Sequence, residues 1–373
     1  MRVKLEDVCE KGSSNLKQSD VVNLTGEYPI YGAAGYIGNV DFYHQEKPYV
    51  AIVKDGAGIG RTTLHPAKSS VIGTMQYLLP KDNVLPEYLC YVVRHMHLEK
   101  YFTGATIPHI YFRDYKNEKF NLASLDKQAE IVGILKKAES VIRKRRQQLT
   151  ELDNLIKARF VEMFGDMLLN EMGWQEVHLD ALADVVSGIS KGRKVREAEL
   201  IEVPYMAVSN VKDGYIDWTT VKTIMATKQE IEQYRLLPYD VLMTEGGDPD
   251  KLGRGAVIAA PLENSIHQNH IFRVRLQLEK ILPVFFSQYL QNPKAKQYFL
   301  GCAKQTTGIA SINMKQLRSL PVLVPPIELQ EQFAAFVEQI DKSKVAEATH
   351  ALCTLFNIIL NGGTRYDIRT NEF

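Results

Sequence analysis

The sequence has little net charge and no long hydrophobic run. The first argues against an overall basic protein, and the second argues against a membrane-spanning protein. Lysine and arginine together number 45 and aspartate and glutamate 44, so the formal net charge is +1. Because this balance gives no overall attraction to an anionic partner, any basic surface must be local. No run approaches the roughly 20 apolar residues of a membrane span, and no charged-then-apolar signal segment opens the chain. We therefore expect no membrane association.

Cysteine is also scarce, and no metal-ligand spacing is present. The four cysteines are far apart and form no C-x-x-C pair: Cys9, Cys90, Cys302 and Cys353. We interpret them as reduced core thiols of a cytoplasmic protein. His95 and His97 would point to different faces of a helix, and His267 and His270 lack further ligands. These are interpreted as core or surface histidines, so no metal site is expected.

Motifs of common catalytic sites are missing as well. The sequence contains no G-x-x-x-x-G-K-[ST], no G-x-S-x-G and no N-P-P-[FY], and no glutamate is followed by lysine two positions later. A glycine loop from Asp55 to Gly60 follows a predicted strand, as a dinucleotide fingerprint does. However, the β-branched and proline-ended segment RTTLHP follows where that fingerprint requires a helix. The sequence therefore predicts no catalytic residue and no cofactor in this chain.

What the sequence does contain is one very long amphipathic segment. Apolar residues recur there at alternating steps of four and three, and the other positions are mostly Lys, Arg, Glu and Gln. This spacing predicts a coiled-coil helix from Asp126 to Phe164, with Ser124 at its start and Gly165 just past its end. The predicted seam positions of this helix are Ile131, Leu135, Ile142, Arg145, Leu149, Leu152 and Ile156.

The second half of the chain repeats the first. Gln128 maps to Gln330 and Ile131 to Phe333, each 202 positions later, and YVAIVKDGAGIGRTTL corresponds to YDVLMTEGGDPDKLGRGAV. Such a large internal duplication predicts a second long helix. Its seam positions are Phe333, Val337, Ile340 and Glu347. Because Arg145 maps to Glu347, we expect the two to meet across an antiparallel pair, with extension of Arg145 into solvent as the alternative.

These observations predict a mixed α/β fold. Short strands punctuated by Gly and Pro suggest two tandem β-rich domains, and two long coiled-coil helices separate them in a pseudo-twofold duplication. The expected segments are a first domain at 1–122, a helix at 123–166, a second domain at 167–324, a helix at 325–361 and an irregular tail at 362–373. Since the chain starts directly at the first domain, the second helix is expected to complete the arrangement.

Equivalent loops of the two copies carry side chains suited to nucleic acid. Lys and Arg neutralise phosphates, Gln and Asn fit adenine edges, and Arg fits guanine. The candidates in the first copy are Lys54, Arg61, Thr62, His109, Tyr111 and Arg113. The candidates in the second copy are Lys191, Arg193, Lys194, Arg196, Asn210, Lys251, Arg254, Gln268, Asn269, His270, Lys304, Gln305, Thr306 and Thr307. The basic run at 143–146 is more typical of a solvated helix face.

Together these features resemble the specificity (DNA-recognition) subunit of type I restriction–modification enzymes. The resemblance covers nearly the whole chain and rests on YPIYGAAGYIG, YVAIVKDGAGIGRTTL, TIPHI and the [PS]-x-x-x-Q-x-x-[IF] start of each long helix. It implies two target-recognition domains, each of which reads one half of a bipartite DNA target. It also implies two long antiparallel coiled-coil helices that set the spacing and dock two methyltransferase subunits. S-adenosylmethionine would bind in those subunits, a separate restriction/translocase subunit would cut, and this chain would not be an enzyme.

Two other functions remain open at this point. One is the recognition subunit of a related type II system, and the other is a coiled-coil scaffold protein that does not bind DNA. Salt-dependent DNA binding separates the scaffold from the other two. If the chain does read DNA, a helix of roughly 58 Å with a domain over each end predicts half-sites about 10 base pairs apart.

Overall fold

The computed structural model describes residues 1–21, 23–104, 108–193, 200–248, 252–306 and 309–362. Side chains of residues 305, 306, 309 and 346–362 lie outside this description, as does the predicted tail from residue 363 onwards. The chain divides into two compact units, one with Met1–Lys144 and one with Arg145–Thr349. Among the residues that the structure describes, no helix has both the length and the apolar character of a membrane span.

The first copy is a β-rich domain with short helices. Its strands are β1 (Arg2–Lys4), β2 (Cys9–Ser13), β3 (Tyr28–Gly32), β4 (Gly35–Val40), β5 (Tyr49–Val53), β6 (Thr62–His65), β7 (Ser70–Val71), β8 (Met75–Pro80) and β9 (Lys119–Asn121). Its helices are α1 (Leu5–Val8), α2 (Gln18–Val21), α3 (Pro86–His95) and α4 (Phe112–Tyr115). The main sheet is antiparallel with the order β2-β8-β5-β6, and a smaller sheet has the order β4-β3-β7. Every residue of β5 is buried, as the apolar run YVAIV predicts.

Helix α5 (Leu125–Phe164) follows the first domain, close to its predicted bounds. It ends at Gly165, whose φ of 75° lies in the left-handed region that favours glycine. The Gly165 N–H donates to the carbonyl of Val161 at 2.8 Å and closes the last turn. The predicted C-terminal signal is therefore confirmed.

The burial along α5 corrects the predicted seam. Ile142 and Leu149 are 40% and 36% exposed, so these two predicted seam positions are not buried within the chain. In the part of α5 that belongs to the second unit, the buried residues are Ile156, Phe160 and Phe164, which are four positions apart. The reason is that this end of α5 packs into the core of the second domain as well as against the other long helix.

The second copy repeats the architecture of the first. Its strands are β10 (Gln175–His178), β11 (Ala183–Ser187), β12 (Ile201–Met206), β13 (Lys222–Ala226), β14 (Val241–Thr244), β15 (Gly246–Gly247), β16 (Gly255–Val257), β17 (Ile266–His267), β18 (Ile271–Leu276), β19 (Lys304–Thr306), β20 (Ile309–Ser311) and β21 (Pro321–Val324). Its helices are α6 (Lys228–Tyr234), α7 (Pro283–Leu290), α8 (Pro293–Cys302) and α9 (Met314–Arg318). The main sheet, β11-β18-β14-β16, matches β2-β8-β5-β6, and β13-β12-β17 matches β4-β3-β7. The predicted duplication is confirmed.

Helix α10 (Ile327–Gly362) ends at the first of the paired glycines 362 and 363. Within the second unit it lies beside α5: the Phe160 and Phe333 rings are 5.4 Å apart, and Lys344 Nζ is 2.8 Å from Asp153 Oδ1. Because residue numbers rise along α5 as they fall along α10, these parts of the two helices are antiparallel, as predicted.

The seam of α10 is described only in part. Phe333 and Ile340 are buried and Val337 is half-buried. The side chain of Glu347 lies outside the described residues, so its contact with Arg145 stays a prediction.

A buried glutamine fixes α5 to the first domain. Gln128 is fully buried, and its Nε2 donates to the carbonyls of Asn83 and Ala123 at 3.0 and 2.9 Å. Its Oε1 accepts from the N–H of Leu85 at 2.8 Å, next to the start of α3. The amide of this one side chain therefore joins the helix, the segment before it and α3.

The equivalent glutamine makes the same joint in the second copy. Gln330 is fully buried, and its Nε2 donates to the carbonyls of Lys280 and Pro325 at 3.1 and 2.8 Å. Its Oε1 accepts from the N–H of Leu282 at 2.9 Å, next to the start of α7. The glutamine that recurs in the sequence pattern is thus a structural clamp, repeated bond for bond.

Candidate nucleic-acid interface

The candidate residues of the first copy gather where β5 ends. The backbone of His109 exchanges two hydrogen bonds with Thr103, at 2.8 and 2.9 Å, and forms a β-bridge with Asp55. The N–H of Ile110 donates to the carbonyl of Lys54 at 3.0 Å. These bonds hold the segment around His109 against the residues that leave the central strand.

Side chains of the same two segments also contact one another. Asp55 accepts from Lys54 Nζ at 2.8 Å through one oxygen and is bonded to His109 Nδ1 through the other. The His109 ring lies 4.0 Å from the ring of Tyr111, and Arg113 lies 4.6 Å above the Tyr111 ring. The structure therefore brings four predicted residues together around Asp55. Sequence reasoning missed Asp55 because a carboxylate repels phosphate and offered no reason to be chosen.

The outer residues of this cluster are accessible to a ligand. The Arg113 side chain is 76% exposed and Tyr111 is also exposed, whereas Lys54 and His109 are half-buried. An exposed guanidinium can contact phosphate, and an exposed aromatic ring can pack against a base or sugar. The half-buried groups are held in fixed positions, as specific readout requires.

Two further candidates of the first copy lie beside the glycine loop. Arg61 is exposed and donates through Nη1 to the carbonyl of Ala33 at 2.9 Å. Thr62 is buried in β6, and its hydroxyl donates to the carbonyl of Gly60 at 3.0 Å. Its hydroxyl is thus used inside the fold, and the predicted DNA contact of Thr62 stays a prediction. A strand follows the glycine loop, as the sequence indicated.

The second copy has a corresponding site at the end of β14. The N–H of Glu245 donates to the carbonyl of His270 at 3.0 Å, and Glu245 Oε2 lies 2.6 Å from His270 Nδ1. Gly246 pairs with Ser311, which in turn pairs with Lys304 across the small sheet β15-β20-β19. His270 and Lys304 are both exposed, and strand β20 lies between the strand of Gly246 and the strand of Lys304. Glu245 is again a carboxylate that was not predicted.

Other candidates of the second copy are bonded within the fold. Arg193 Nη2 donates to Glu230 Oε2 at 2.8 Å and to the carbonyl of Met225 at 2.8 Å. The hydrogen bond from Arg193 lowers the pKa of Glu230 to about 2. Lys191 Nζ lies 5.3 Å from the ring of Tyr205. The charge of Arg193 is therefore balanced before any DNA arrives.

Amide side chains of this copy divide into buried and accessible ones. Asn210 is fully buried, where its Oδ1 accepts from the N–H of Ala207 and its Nδ2 donates to the carbonyl of Asp217, both at 2.9 Å. Its amide therefore supports a turn, and the predicted DNA contact of Asn210 stays a prediction. Gln268 and Asn269 are half-buried, and Arg254 is half-buried at the end of its loop.

Several predicted contacts cannot be placed. Lys194, Arg196, Lys251 and Thr307 lie outside the described residues. Gln305 and Thr306 belong to β19, but their side chains are likewise outside the description. These predictions stay predictions.

The histidine interpretation is confirmed for His267. It is fully buried between the carbonyls of Tyr234 and Val186, at 3.2 and 3.3 Å from its ring nitrogens. Burial lowers its pKa to about 4. Across the described part of the chain, no three His, Cys, Asp or Glu side chains are grouped so that they could hold a metal ion.

Two copies of one domain architecture, each with its own exposed polar cluster, define a protein built by internal duplication. The family model "Type I restriction modification DNA specificity domain" matches residues 1–153 and 171–350. Because these segments make up most of the chain, the chain belongs to this family.

Individual relatives give the same family. The chain is 28% identical over 162 residues to the putative type I restriction enzyme MjaX specificity subunit of Methanocaldococcus jannaschii, covering 43% of this chain and 38% of that one. It is 26% identical over 139 residues to the EcoKI specificity subunit of Escherichia coli, covering 37% and 30%. These two matches thus span well under half of the relatives' own lengths. The MjaVIII specificity subunit of M. jannaschii is 23% identical over 348 residues, with 85% and 79% covered.

A solved structure supports the fold. It is the S subunit of a type I restriction–modification system from M. genitalium, with a TM-score of 0.58 and 15% identity. The similarity covers 97% of this chain and 94% of that one. The predicted arrangement of two domains and long helices is therefore a known fold of this family.

Proposed function

We propose that this chain is the sequence-specific DNA-recognition subunit of a type I restriction–modification complex and is not itself an enzyme. The observation that supports this most directly is the duplicated frame inside two family-matched segments. Equivalent backbone positions of the two copies carry different polar side chains. A protein that reads two unlike half-sites needs one scaffold in duplicate and a separate set of base-contacting groups on each copy.

Each recognition domain reads one half of a bipartite target in this proposal. The long helices set the spacing and dock two modification subunits, which bring S-adenosylmethionine and carry out the methylation. Restriction/translocase subunits complete the assembly. Since the chain works where the DNA is, the proposal places it in the cytoplasm. The names of the relatives, all specificity subunits, support this assignment over a scaffold that binds no DNA.

Affinity for the DNA backbone comes from local positive charge. The whole chain carries only +1, but exposed Arg113 and Lys304 stand at the two candidate sites. Phosphate contacts of this kind weaken with the logarithm of the salt concentration. They position the duplex without reading its sequence, so specificity must come from other groups of each cluster.

The proposal is tested by methylome sequencing. The full chain is expressed with its cognate modification subunit in a host without adenine methylation, and a host with the modification subunit alone is the control. We expect a methylated motif that requires this chain and consists of two short halves with an unspecified gap. A continuous motif, or methylation that does not depend on the chain, contradicts the proposal.

A further inference from the structure

The contact between a short helix of the domain and the long helix beside it differs between the two copies. In the first copy α3 bonds directly to α5, where Lys136 Nζ donates to Glu87 Oε1 at 3.2 Å. Further along α3, the Tyr91 hydroxyl and Arg94 Nη1 both donate to the carboxylate of Glu139, at 2.8 and 3.3 Å. These three bonds connect about two turns of α3 to the adjacent face of α5.

Uncharged side chains stand at the corresponding positions of the second copy. Leu85 and Leu282 directly precede α3 and α7, and each bonds to the buried glutamine of its copy. Counted from them, the three bonding positions of α7 are Val284, Gln288 and Gln291. Valine cannot form an ion pair, and each glutamine is shorter than the tyrosine or arginine that it replaces. Within the described residues, these three side chains make no hydrogen bond to α10.

The carboxylates on the facing side of α10 pair along their own helix. Glu338 is 2.7 Å from Lys342, and Asp341 is 2.9 Å from Lys344. Asp341 stands at the position of Glu139 in the repeat. Its side chain is 58% exposed, so its carboxylate can accept further hydrogen bonds.

A groove lies in the second copy where the first copy has these bonds. It is a cavity of about 550 Å³, which Val284, Gln288 and Gln291 of α7 line together with Val337 and Asp341 of α10. An adjoining depression of about 600 Å³ shares Val284, Val337 and Asp341 with it and continues along α10. The groove therefore offers two valines, two amides and a carboxylate to a ligand.

A longer connection in the second copy forms another wall of the groove. Residues 33 and 34 connect β3 to β4 in the first copy, whereas residues 207–221 connect β12 to β13 in the second. Residues 213–215, at the tip of this connection, line the groove. The tip is fixed to the sheet, because the N–H of Gly214, with a φ of 82°, donates to the carbonyl of Gly255 at 3.0 Å. The groove is therefore built by elements that the first copy does not repeat.

The charges around the groove favour a basic protein segment over DNA. The lining includes the carboxylates of Asp153, Asp213 and Asp341 and the amino groups of Lys157 and Lys344. Lys344 is already held between Asp153 and Asp341, at 2.8 and 2.9 Å. The excess of negative charge disfavours a phosphate backbone and favours an arginine.

We propose that this groove binds an arginine-bearing segment of one modification subunit, so that the two docking sites for these subunits are unequal. The incoming guanidinium bonds to Asp341 as Arg94 bonds to Glu139 in the first copy, and apolar side chains beside it pack on Val284 and Val337. In the first copy the chain's own side chains already occupy the equivalent place, so the same segment binds there more weakly. The groove is lined by α5 and α10, the helices to which the proposed function assigns docking. This inference rests on the proposed function and adds which site binds more tightly and by which residues.

The test is a titration of the full chain with its modification subunit, followed by native mass spectrometry. We expect the site dissociation constants of the two subunits to differ by about 10- to 100-fold, the range of a hydrogen bond to a charged group. A one-to-one complex therefore accumulates before the two-to-one complex. Equal site constants for the wild-type chain overturn the inference.

Closing the groove should remove the difference. The closed variant, Gln288→Tyr with Gln291→Arg, gives α7 the side chains with which α3 bonds to its long helix. We expect the tighter constant to weaken about 10- to 100-fold, while the weaker constant stays unchanged. The matched control is the reverse exchange in the first copy, Tyr91→Gln with Arg94→Gln, which should leave the tighter constant as it is.

A charge variant separates binding from folding. Asp341→Asn keeps the size of the side chain and removes the carboxylate, so it should weaken only the tighter constant and make it less sensitive to salt. Glu162→Gln is the control, because Glu162 is an exposed carboxylate of α5 outside the groove. A merely structural role of Asp341 would lower the melting temperature and weaken both constants.

The outcomes separate the two proposals. Closed and Asp341→Asn variants that fold and bind the modification subunit as the wild type does overturn this inference, while a bipartite methylated motif leaves the proposed function standing. A wild-type chain that binds no modification subunit overturns both. Folding is checked by thermal melting, and if the closed variant does not fold, the Asp341→Asn result decides alone. Loss of DNA binding or of self-association by the closed variant in the absence of the modification subunit assigns the groove to DNA or to a second copy, and overturns the inference.

Discussion

The two recognition domains agree in how they are joined to their helices and differ in what they present at the end of the central strand. Gln128 and Gln330 make the same three hydrogen bonds in the two copies. The carboxylate–histidine pairs, by contrast, are made by residues at different positions of the two copies. They are Asp55 and His109 in the first copy and Glu245 and His270 in the second. Buried polar groups must all be satisfied together, which restricts the joint, whereas half-exposed loop side chains can change one at a time. The difference indicates a fixed joint to the helix and loop side chains that can be exchanged independently of it.

The copies also differ in the core beneath each helix. In the second unit Phe160 and Phe164 pack against Phe285 and Phe333 with ring distances of 4.9 to 5.6 Å. At the position of the first copy that corresponds to Phe333, Ile131 is only half-buried. Phe333 on α10 is therefore more deeply buried than Ile131, its counterpart on α5.

This asymmetry predicts the largest effect. Phe333→Ala should lower the free energy of unfolding of the second unit by about 3–5 kcal/mol, because it opens a cavity in an aromatic cluster. Ile131→Ala at the equivalent position should cost only about 1–2 kcal/mol, since the side chain is not fully buried. Chemical denaturation followed by hydrogen exchange in peptides from each unit measures both. Equal costs would show that the two helix bases are packed alike.

The two buried glutamines, Gln128 and Gln330, predict equal losses of stability in the two copies when either is replaced. Gln128→Ala and Gln330→Ala should each cost about 2–3 kcal/mol, because an N–H and two carbonyls lose their partners in a buried site. Gln147→Ala is the control: its bond to Glu151 at 2.9 Å is exposed, so the change should stay within about 0.5 kcal/mol. The same denaturation assay measures all three. Costs that differ between the two clamps by more than the experimental error would mean that the joint is not a true repeat.

How far the sequence predicts this structure depends on how local each signal is. The end of α5 was predicted because Gly165 acts within one turn, and the duplication was found by counting along the chain. The carboxylate–histidine pairs were missed because Asp55 and His109 are far apart in sequence and meet only through a β-bridge. The buried turn that Asn210 supports was also missed, because an amide serves such a turn as well as a base edge. These cases depend on contacts between residues that are distant in sequence, and the periodicity of the sequence does not reveal such contacts.

Buried histidines, one in each copy, predict a common response to acid. Burial lowers the pKa of His65 and of His267 to about 4, from an ordinary value near 6.5. Below about pH 6.5 the unfolded chain takes up a proton that the folded chain refuses until about pH 4. Stability should therefore fall as the pH falls through this window, by about 1–2 kcal/mol per histidine at pH 5.

The matched variants assign that pH dependence to each unit. His65→Gln should reduce the slope of stability against pH in the first unit only, and His267→Gln in the second only. Denaturation midpoints at pH 7 and pH 5, resolved by hydrogen exchange, provide the measurement. A slope that survives both substitutions would have to come from other groups.

The smallest expected effect concerns the register of the two helices. The contacts Asp153–Lys344 and Phe160–Phe333 fix an antiparallel register within the second unit. Extending it by about two turns brings Arg145 within about one turn of Glu347, so their long side chains can meet. Arg145 already donates to Gln148 Oε1 at 2.6 Å, and it is only half-buried. We therefore expect a coupling energy of about 0.5 kcal/mol between Arg145 and Glu347, the magnitude of a solvent-accessible ion pair. A double-mutant cycle of Arg145→Leu, Glu347→Leu and the double variant measures it by thermal melting. The coupling should shrink in high salt, because accessible charges are screened. A coupling of zero at low salt would mean that the two side chains do not meet and that the aromatic cluster of Phe160, Phe164, Phe285 and Phe333 contributes more to the register.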